Sequence, residues 1–467
     1  MLRERIQASN YSFLDKLKSI DYLLILLILA IGSISVFAIY STEGGKFSFY
    51  TKNHIIRLSV FFSLFLVLSF VRVSTWYKNA YLFYLIGLIL LIIGAIQIAL
   101  FLVKKFAPEA GGSGIQEIEG ALDEVRPTRW KRVLPVKFIA SIFSLGSGML
   151  LGREGPTVQI GANVGKMVKE LFKQEDEQNN PLLSAGAAAG LAGAFNAPLS
   201  GIVFVIEEMH GHFKFNFYSV AAIMIGSGTS DLIARYLIGE DTALSIKIFS
   251  SPDISEIWFF GLLGLLFSFI GYLFNSALLK SLDLFGKLKN PILVFSIGLG
   301  IIIAILSIYF PDMTGAGYNT IKDVLGHSFT IWVLIVMFVG RFILSILSYS
   351  SGVPGGIFAP LLSLGAILGM IFGYTIQHFN PHLVNETGVY AVAGMAAIFA
   401  STVRAPLTGI MLAIEITSNY ELTLPLIITT VTASVFTAFL GNKPIYTSLL
   451  ERTIRHAKQT KAQIEQS

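Results

Sequence analysis

The sequence predicts an all-α polytopic membrane protein. Of its 467 residues, 54% are hydrophobic and only 13% are charged, whereas soluble globular chains carry about 25% charged residues. A chain solvated by lipid does not need to cover its surface with charge. Apolar stretches long enough to cross a bilayer as helices recur along the chain, and they lack the roughly ten-residue alternating pattern of membrane β-strands. This composition excludes a soluble enzyme and makes the lipid bilayer the solvent of the protein.

The predicted spans are uniformly apolar, and glycine and proline interrupt them at defined places. The spans lie at 21–40, 55–71, 80–103, 182–206, 217–238, 256–279, 291–310, 329–349, 388–416 and 422–440, with shorter or glycine-rich stretches at 135–150 and 355–378. The interruptions fall at 111–114, 152–156 and 352–360. Irregular backbone at membrane depth is tolerated where it lines a cavity, and broken helices mark the sites of transporters. The breaks therefore predict a transport site.

Charge and cysteine content exclude several other classes of protein. The net charge is +5, from 34 Lys and Arg against 29 Asp and Glu, and no basic patch is interleaved with aromatic residues as a nucleic-acid surface requires. We therefore expect no nucleic-acid partner. The chain has no cysteine, which excludes disulfides, thiolate metal sites and cysteine catalysis.

An internal repeat is visible in the sequence. The aligned pairs are AGAAAGLAGAFNAPLSGIVFVIEEM (185–209) with AGMAAIFASTVRAPLTGIMLAIEIT (393–417), GREGP (152–156) with GIFAP (356–360), and GSGI (112–115) with GAGY (315–318). Helix packing through small residues explains the shared Gly and Ala but not the shared order. The chain therefore contains two homologous halves, about 100–240 and 300–445, and duplicated halves with equivalent breaks predict a transport site at the repeat interface.

The glycine-rich breaks favour a small anion. A helix that begins at such a break directs unpaired N–H groups and the positive end of its dipole into the cavity, which attracts anions without a full positive charge. Glu154 lies inside one break, and an ionisable residue at membrane depth is functional by default. Its carboxylate is a tethered anion that can occupy the site when ionised and leave it when protonated. The other interpretation of Glu154 is a helix cap or a partner for Arg153.

A metal site is the alternative for one polar cluster. Glu207, Glu208, His210 and His212 have side chains that bind metals, as a divalent-cation transporter would require. Residues at i and i+2 point to different sides of a helix, however, and no second cluster faces this one. We therefore expect no metal site.

Several motifs resemble those of one transporter family. GGSGIQEIEG (111–120), GREGPTVQIGANVG (152–165) and GGIFAP (355–360) resemble the three signature segments of the CLC family of chloride channels and chloride/proton exchangers. The runs AGLAGAFNAPLSGIVFVIEEM (189–209) and GNKPIY (441–446) are similar to its bacterial exchanger branch. The resemblance covers about residues 95–455. It implies two inverted-topology repeats with broken and re-entrant helices, no cofactor, and a homodimer with one pore in each subunit.

The resemblance also implies roles for individual residues. The chloride-binding positions are Ser113, Ile357, Phe358 and Tyr446. Glu154 falls on the gating glutamate that transfers protons on the external side. Glu208 falls on the internal proton-transfer glutamate, which the exchangers carry and the channels lack, and Glu207 is expected to pair inside the protein. Without the resemblance, Ser113 is a turn serine and Tyr446 an interfacial tyrosine.

The N-terminal region departs from that family. Residues 18–94 resemble the first membrane segments of the SEDS cell-wall polymerases, on apolar runs such as SIDYLLILLILAIGSISVFAIYSTEGG. The catalytic regions of those polymerases are absent, so no polymerase activity is implied. The expected domains are atypical N-terminal membrane segments, a first and a second CLC repeat and a cytoplasmic C-terminal tail, at 1–94, 95–250, 251–447 and 448–467.

The function predicted from these observations is secondary active antiport of chloride and protons, without covalent chemistry, across a bacterial inner (plasma) membrane. The alternative is a passive, proton-gated chloride channel, and Glu208 argues against it. A polymerase fragment is a third interpretation, supported by the N-terminal quarter alone. We expect a cytoplasmic C-terminus. We also expect a cytoplasmic N-terminus, because Arg3, Arg5, Lys16 and Lys18 oppose translocation, although three spans before the first break would place it outside.

Overall fold

The apolar stretches form helices. A computed structural model describes residues 21–43, 45, 47–69, 77–173, 181–209, 211–212, 216–239, 244, 246–287, 291–384 and 386–465. Within these ranges the structure contains helices and two isolated β-bridges, without a strand. Eight of the described helices are long and apolar enough to cross a membrane. The chain divides into two compact units, Met1–Gly87 and Leu88–Ser467.

The first unit is built around a helical hairpin. Its elements are α1 (Tyr22–Thr42), α2 (Phe49–Ser69) and the first residues of α3 (Ala80–Phe106). Glu43 follows α1, and its carboxylate accepts N–H bonds of 3.0 Å from Tyr50 and Thr51 at the start of α2. Hydrogen bonds from the side chains of Ser48 and Thr51 lower the pKa of Glu43 to about 2. An ionised carboxylate thus caps α2 at neutral pH.

The second unit contains two series of helices in the same order. The first series comprises the rest of α3, α4 (Ile115–Leu122), α5 (Trp130–Gly146), α6 (Glu154–Leu171), α7 (Pro181–Phe195), α8 (Pro198–Glu208) and α9 (Phe217–Ile238). After α10 (Ile257–Lys287), the second series comprises α11 (Pro291–Tyr309), α12 (Tyr318–Gly326), α13 (Ile331–Ser350), α14 (Phe358–Phe379), α15 (Gly388–Thr402), α16 (Pro406–Thr417) and α17 (Thr423–Phe439). The last described helix is α18 (Ile445–Glu465). The sequence repeat is therefore also a repeat of helix order.

Two predicted spans are wrong as single helices. The stretch 182–206 forms α7 and α8, and the stretch 388–416 forms α15 and α16. The breaks contain Asn196 and Arg404, whose φ angles are 52° and 69°. Pro198 and Pro406 then open the second helix of each pair. A residue before proline avoids the helical conformation, and the predominantly apolar character of both stretches concealed this effect.

Glycines bring two neighbouring helices into close contact at equivalent places in each repeat. A Cβ atom on Gly161 of α6 would overlap the carbonyl oxygen of Gly186 in α7, and the same relationship holds between Gly365 of α14 and Gly394 of α15. Small residues of this kind let helices approach closely within a membrane. The α6–α7 and α14–α15 pairs therefore place the beginnings of α6 and α14 in equivalent positions.

Two of the expected domain boundaries fall inside helices. The boundary at 94/95 lies within α3, and the boundary at 447/448 lies within α18. The residues described up to 465 therefore continue the helix that carries Tyr446.

Candidate functional site

The breaks of the two repeats are joined to each other by backbone hydrogen bonds. The N–H group of Gly112 donates to the carbonyl of Val353 over 3.1 Å, and the N–H group of Gly355 donates to the carbonyl of Gly112 over 2.9 Å. Gly152 and Gly356 exchange two hydrogen bonds of 2.8 Å. The first residues of α4, α6 and α14 are therefore held together at the repeat interface.

Glycine is needed at this junction for steric reasons. A Cβ atom on Gly356 would lie 2.9 Å from the backbone nitrogen of Gly155, and one on Gly155 would lie 2.9 Å from Cα of Ser113. Any larger residue would separate the helix beginnings. Because the first N–H groups of a helix have no partner within it, their convergence creates a neutral site that attracts anions.

The residues predicted to bind chloride are brought together here. Ser113 precedes α4, Ile357 and Phe358 stand at the N-cap and first position of α14, and Tyr446 is the second residue of α18. All four are fully or almost fully buried. The rings of Phe358 and Tyr446 stack with their centroids 6.2 Å apart, and the hydroxyl groups of Ser113 and Tyr446 face each other.

The described residues leave the hydrogen-bonding groups of these two hydroxyls unsatisfied. Neither Ser113 Oγ nor the Tyr446 hydroxyl makes a well-aligned hydrogen bond with the described residues. An unsatisfied buried polar group costs about 1–3 kcal/mol. A small anion between them would accept from both hydroxyls and from the N–H groups at the beginning of α14.

Glu154 lies at the same junction. It is the first residue of α6 and is wholly buried. Its Oε1 accepts a hydrogen bond from the hydroxyl of Tyr318, and the backbone N–H of Ala359 in α14 faces the same carboxylate. Arg153 donates to the carbonyl of Ala194 over 2.8 Å, and its guanidinium also faces the Glu154 carboxylate. The carboxylate is thus placed among helix beginnings, where an anion is stabilised.

Tyr318 is a residue of this site that the sequence analysis missed. It is the first residue of α12, and its ring contacts the ring of Phe195 edge-on at 6.3 Å. In the aligned blocks GSGI and GAGY it corresponds to Ile115. That difference between the repeats was the available signal, but the alignment was used to locate the breaks and not to compare their side chains.

A buried basic side chain binds the backbone carbonyls of the break before α4, and another binds those of the break before α12. The Nζ atom of Lys137 donates to the carbonyls of Ala110, Gly112 and Ser113 over 3.0, 2.8 and 3.2 Å. Arg341, 204 positions later, donates through Nη1 and Nη2 to the carbonyls of Asp312, Thr314 and Gly315 over 2.7, 3.2 and 3.1 Å. Both cations are fully buried. Each cation turns the backbone carbonyl groups of its break toward itself. Because one residue is a lysine and the other an arginine, the sequence comparison did not show that they are equivalent.

The internal glutamates occupy different environments. Glu208 is the last residue of α8 and faces Glu119 of α4, which is wholly buried. Glu207 instead accepts N–H bonds from Leu407 and Thr408 at the start of α16, over 3.0 and 2.7 Å. The two adjacent glutamates therefore have different contacts, because Glu207 caps a helix and Glu208 contacts the buried acid Glu119.

The histidines considered as metal ligands do not form a site with the described residues. Nδ1 of His212 lies 2.8 Å from Oδ2 of Asp123, and His210 lies outside the described residues. Across the ranges that the structure describes, no group of three or more His, Cys, Asp or Glu side chains is arranged to hold a metal ion.

Comparison with known proteins decides the family. The family model described as voltage gated chloride channel, Voltage_CLC, matches residues 94–438, which is well over half of the chain. The chain belongs to the CLC family. Its architecture is the all-helical, polytopic membrane fold of CLC transporters, with two inverted-topology repeats.

Relatives and solved structures agree with this assignment. The chain is 47% identical over 363 residues to the H(+)/Cl(-) exchange transporter ClcA of Vibrio vulnificus (strain YJ016), covering 77% of this chain and 78% of that protein. Identity to the ClcA of Salmonella gallinarum is 46% over 377 residues, with 79% of each chain covered. The crystal structure of a slow cyanobacterial Cl−/H+ antiporter matches with a TM-score of 0.77 and 40% identity, over 79% of this chain and 88% of that chain.

A more distant structure shows the fold alone. The crystal structure of a CLC-type fluoride/proton antiporter matches with a TM-score of 0.64 and 19% identity, covering 92% of this chain and 97% of that one. The family match begins at residue 94, so these comparisons do not support the resemblance of residues 18–94 to SEDS polymerases.

Proposed function

We propose that this protein is a secondary active antiporter that exchanges chloride for protons. The observation that carries the proposal is the position of the Glu154 carboxylate, which lies at the joined beginnings of α6 and α14. These helix beginnings attract anions, so an ionised Glu154 competes with chloride for them. Protonation removes the charge of Glu154, and chloride then enters. One residue therefore links the two ions.

Chloride is bound by neutral donors. The hydroxyls of Ser113 and Tyr446 donate to the ion, and the N–H groups of Ile357 and Phe358 complete its coordination. The absence of a full positive charge among these donors lets the ion leave as well as bind, as turnover requires. The free hydroxyl capacity at Ser113 and Tyr446 supports this assignment.

Protons reach the opposite side through a separate acid. Glu208 transfers protons on the internal side, and its contact with the buried Glu119 supports this role, because two acids that face each other readily share a proton. A passive channel gated by Glu154 is the second candidate. It would not need a second protonatable group, and the relatives named as exchangers also favour antiport.

The proposal extends to assembly and placement. The protein is a homodimer with one pore in each subunit, in a bacterial inner membrane, with a cytoplasmic C-terminus. Residues 95–250 and 251–447 carry the two repeats. The N-terminus is cytoplasmic because of its four basic residues, which requires that α1 does not cross the membrane fully.

Reconstitution tests the proposed function. Purified protein in chloride-loaded liposomes is diluted into low-chloride buffer at equal pH, with the membrane potential held by potassium and valinomycin, and the external pH is recorded. Chloride efflux should drive proton uptake, and the uptake should continue against an opposing proton gradient. Glu154→Gln should release chloride without moving protons. Chloride release by the native protein with no proton movement would contradict the proposal.

A further inference from the structure

Tyr318 lies between the Glu154 carboxylate and a polar surface cavity. The cavity has a volume of about 610 Å³, and its lining includes Asp312, Tyr318, Lys322 and Asp323. Glu154 itself is wholly buried. The hydroxyl of Tyr318 donates to Oε1 of Glu154, so a single side chain contacts the protonatable group and also lines the cavity.

The ring and the hydroxyl of Tyr318 have separate contacts. The ring contacts the ring of Phe195, and the guanidinium of Arg153 lies 5.5 Å from its centroid. The hydroxyl donates to Glu154, and the Arg153 side chain also reaches this hydroxyl. Replacing the tyrosine with phenylalanine therefore removes the bond to Glu154 and leaves both ring contacts in place.

The fold does not require a hydroxyl group at this position. Ile115 occupies the corresponding place in the first repeat, where it is the first residue of α4 and is fully buried. An apolar side chain thus serves at the beginning of the equivalent helix. The hydroxyl is therefore present at this position in the second repeat and absent from the first. It is directed at Glu154, the one acid inside the breaks.

We infer that Tyr318 is a positioning residue for the reaction, whose hydroxyl holds the ionised Glu154 carboxylate at the helix beginnings and so sets the external pH at which chloride is admitted. The inference rests on the proposed function, in which Glu154 is the proton-dependent competitor of chloride. A hydroxyl that donates to a carboxylate favours its ionised form. Tyr318 therefore lengthens the time that Glu154 excludes chloride, and it makes opening require a more acidic medium.

Other charged groups near Glu154 must be separated from this effect. In the described part of the chain, Arg153 and Tyr318 face the carboxylate, and α14 contributes the backbone N–H of Ala359. Asp312 and Asp323 line the cavity, where burial and the neighbouring Asp323 raise the pKa of Asp312. An Asp312→Asn variant controls for titration of the cavity.

Tyr318→Phe tests the inference through the pH profile of transport. Chloride flux is measured in liposomes as a function of external pH for the native protein, Tyr318→Phe and the matched control Tyr309→Phe, whose side chain is exposed. The midpoint of Tyr318→Phe should move to higher pH by about one unit, which corresponds to an about tenfold change in proton affinity. Proton coupling should remain because Glu154 is unchanged. Tyr309→Phe and Asp312→Asn should keep the native midpoint to within a small fraction of that shift.

A double variant separates positioning from a structural role. In a Glu154→Gln background, adding Tyr318→Phe should leave the chloride flux and its pH dependence unchanged. Equal effects of Tyr318→Phe in both backgrounds would overturn the inference, as would a single variant with the native midpoint. Tyr318→Ile, which copies the first repeat, should reproduce the shift if the phenylalanine variant folds poorly. If the native protein moves chloride without protons, the proposed function fails, and the pH profile of chloride flux still decides the role of Tyr318.

Discussion

Glu207 and Glu415 cap the beginnings of each other's helices. They are equivalent residues of the two repeats, 208 positions apart, and each lies near the end of one helix of the α8 and α16 pair. Glu207 accepts from the N–H groups of Leu407 and Thr408 and from the Thr408 hydroxyl, over 3.0, 2.7 and 2.8 Å. Glu415 accepts from the N–H groups of Leu199 and Ser200 and from the Ser200 hydroxyl, over 3.0, 2.6 and 2.6 Å. The repeats are therefore joined by a reciprocal pair of caps.

Removing either cap should destabilise the protein by a similar amount. Glu207→Gln and Glu415→Gln each replace the carboxylate acceptor at a helix beginning with an amide, and we expect the free energy of unfolding to fall by about 1–2 kcal/mol for each. Denaturant unfolding in detergent, followed by circular dichroism, measures the loss. Glu421→Gln, at an exposed glutamate near the same end of the second repeat, is the control. A stability equal to that control would contradict the capping account.

Glu208→Gln should separate the two ion movements. Without a protonatable group on the internal side, chloride flux should continue while proton flux falls to the background rate. The adjacent Glu207→Gln is the matched control, since Glu207 caps a helix and should keep proton coupling despite its lower stability. Paired chloride and proton flux measurements in liposomes give both rates, and normal coupling in Glu208→Gln would require a different internal acid.

The two unpartnered hydroxyls should determine chloride affinity. Ser113→Ala and Tyr446→Phe each remove one donor, and we expect chloride to bind at least about tenfold more weakly to each variant, because one hydrogen bond to a charged group is worth about 1.5–3 kcal/mol and about 1.4 kcal/mol is a factor of ten in affinity. Titration calorimetry in detergent measures the affinity. Ser307→Ala is a suitable control, because that hydroxyl bonds to Ile303 within its own helix. Native affinity in both site variants would remove these hydroxyls from the site.

The position of the N-terminus can be determined by cysteine labelling. The native chain has no cysteine, so one introduced at Ser9, outside the described residues, is the single reactive thiol. With a cytoplasmic N-terminus, Ser9→Cys should resist a membrane-impermeant thiol reagent in intact cells and react after permeabilisation. Labelling of intact cells would show that α1 crosses the membrane and that the N-terminus is outside.

The sequence predicted the framework of the site and missed its cross-repeat contacts. The breaks at 111–114, 152–156 and 352–360 were visible because glycine and proline have strong local preferences. The repeat was visible because it preserves order. The partner of Glu154 was not visible in the sequence, because Tyr318 is 164 residues away and the contact depends on how α6 and α12 pack.

Buried cations were concealed for a related reason. Lys137 and Arg341 lie in apolar helices where neither forms a recognisable motif, and their partners are backbone carbonyls, which carry no sequence signal. The division of 182–206 into two helices was equally hidden, since both helices are apolar. Local preferences of glycine and proline located the three breaks, whereas contacts between the repeats depend on three-dimensional packing.

The most direct test of the exchange mechanism is the voltage at which net ion flow stops. Purified protein in planar bilayers or liposomes is held at a fixed chloride gradient, and this reversal voltage is measured while the proton gradient is changed. Coupled exchange predicts that the voltage moves steadily with the proton gradient, and that Glu154→Gln abolishes the movement. A native reversal voltage that stays at the chloride equilibrium value for every proton gradient would describe a channel and contradict the account.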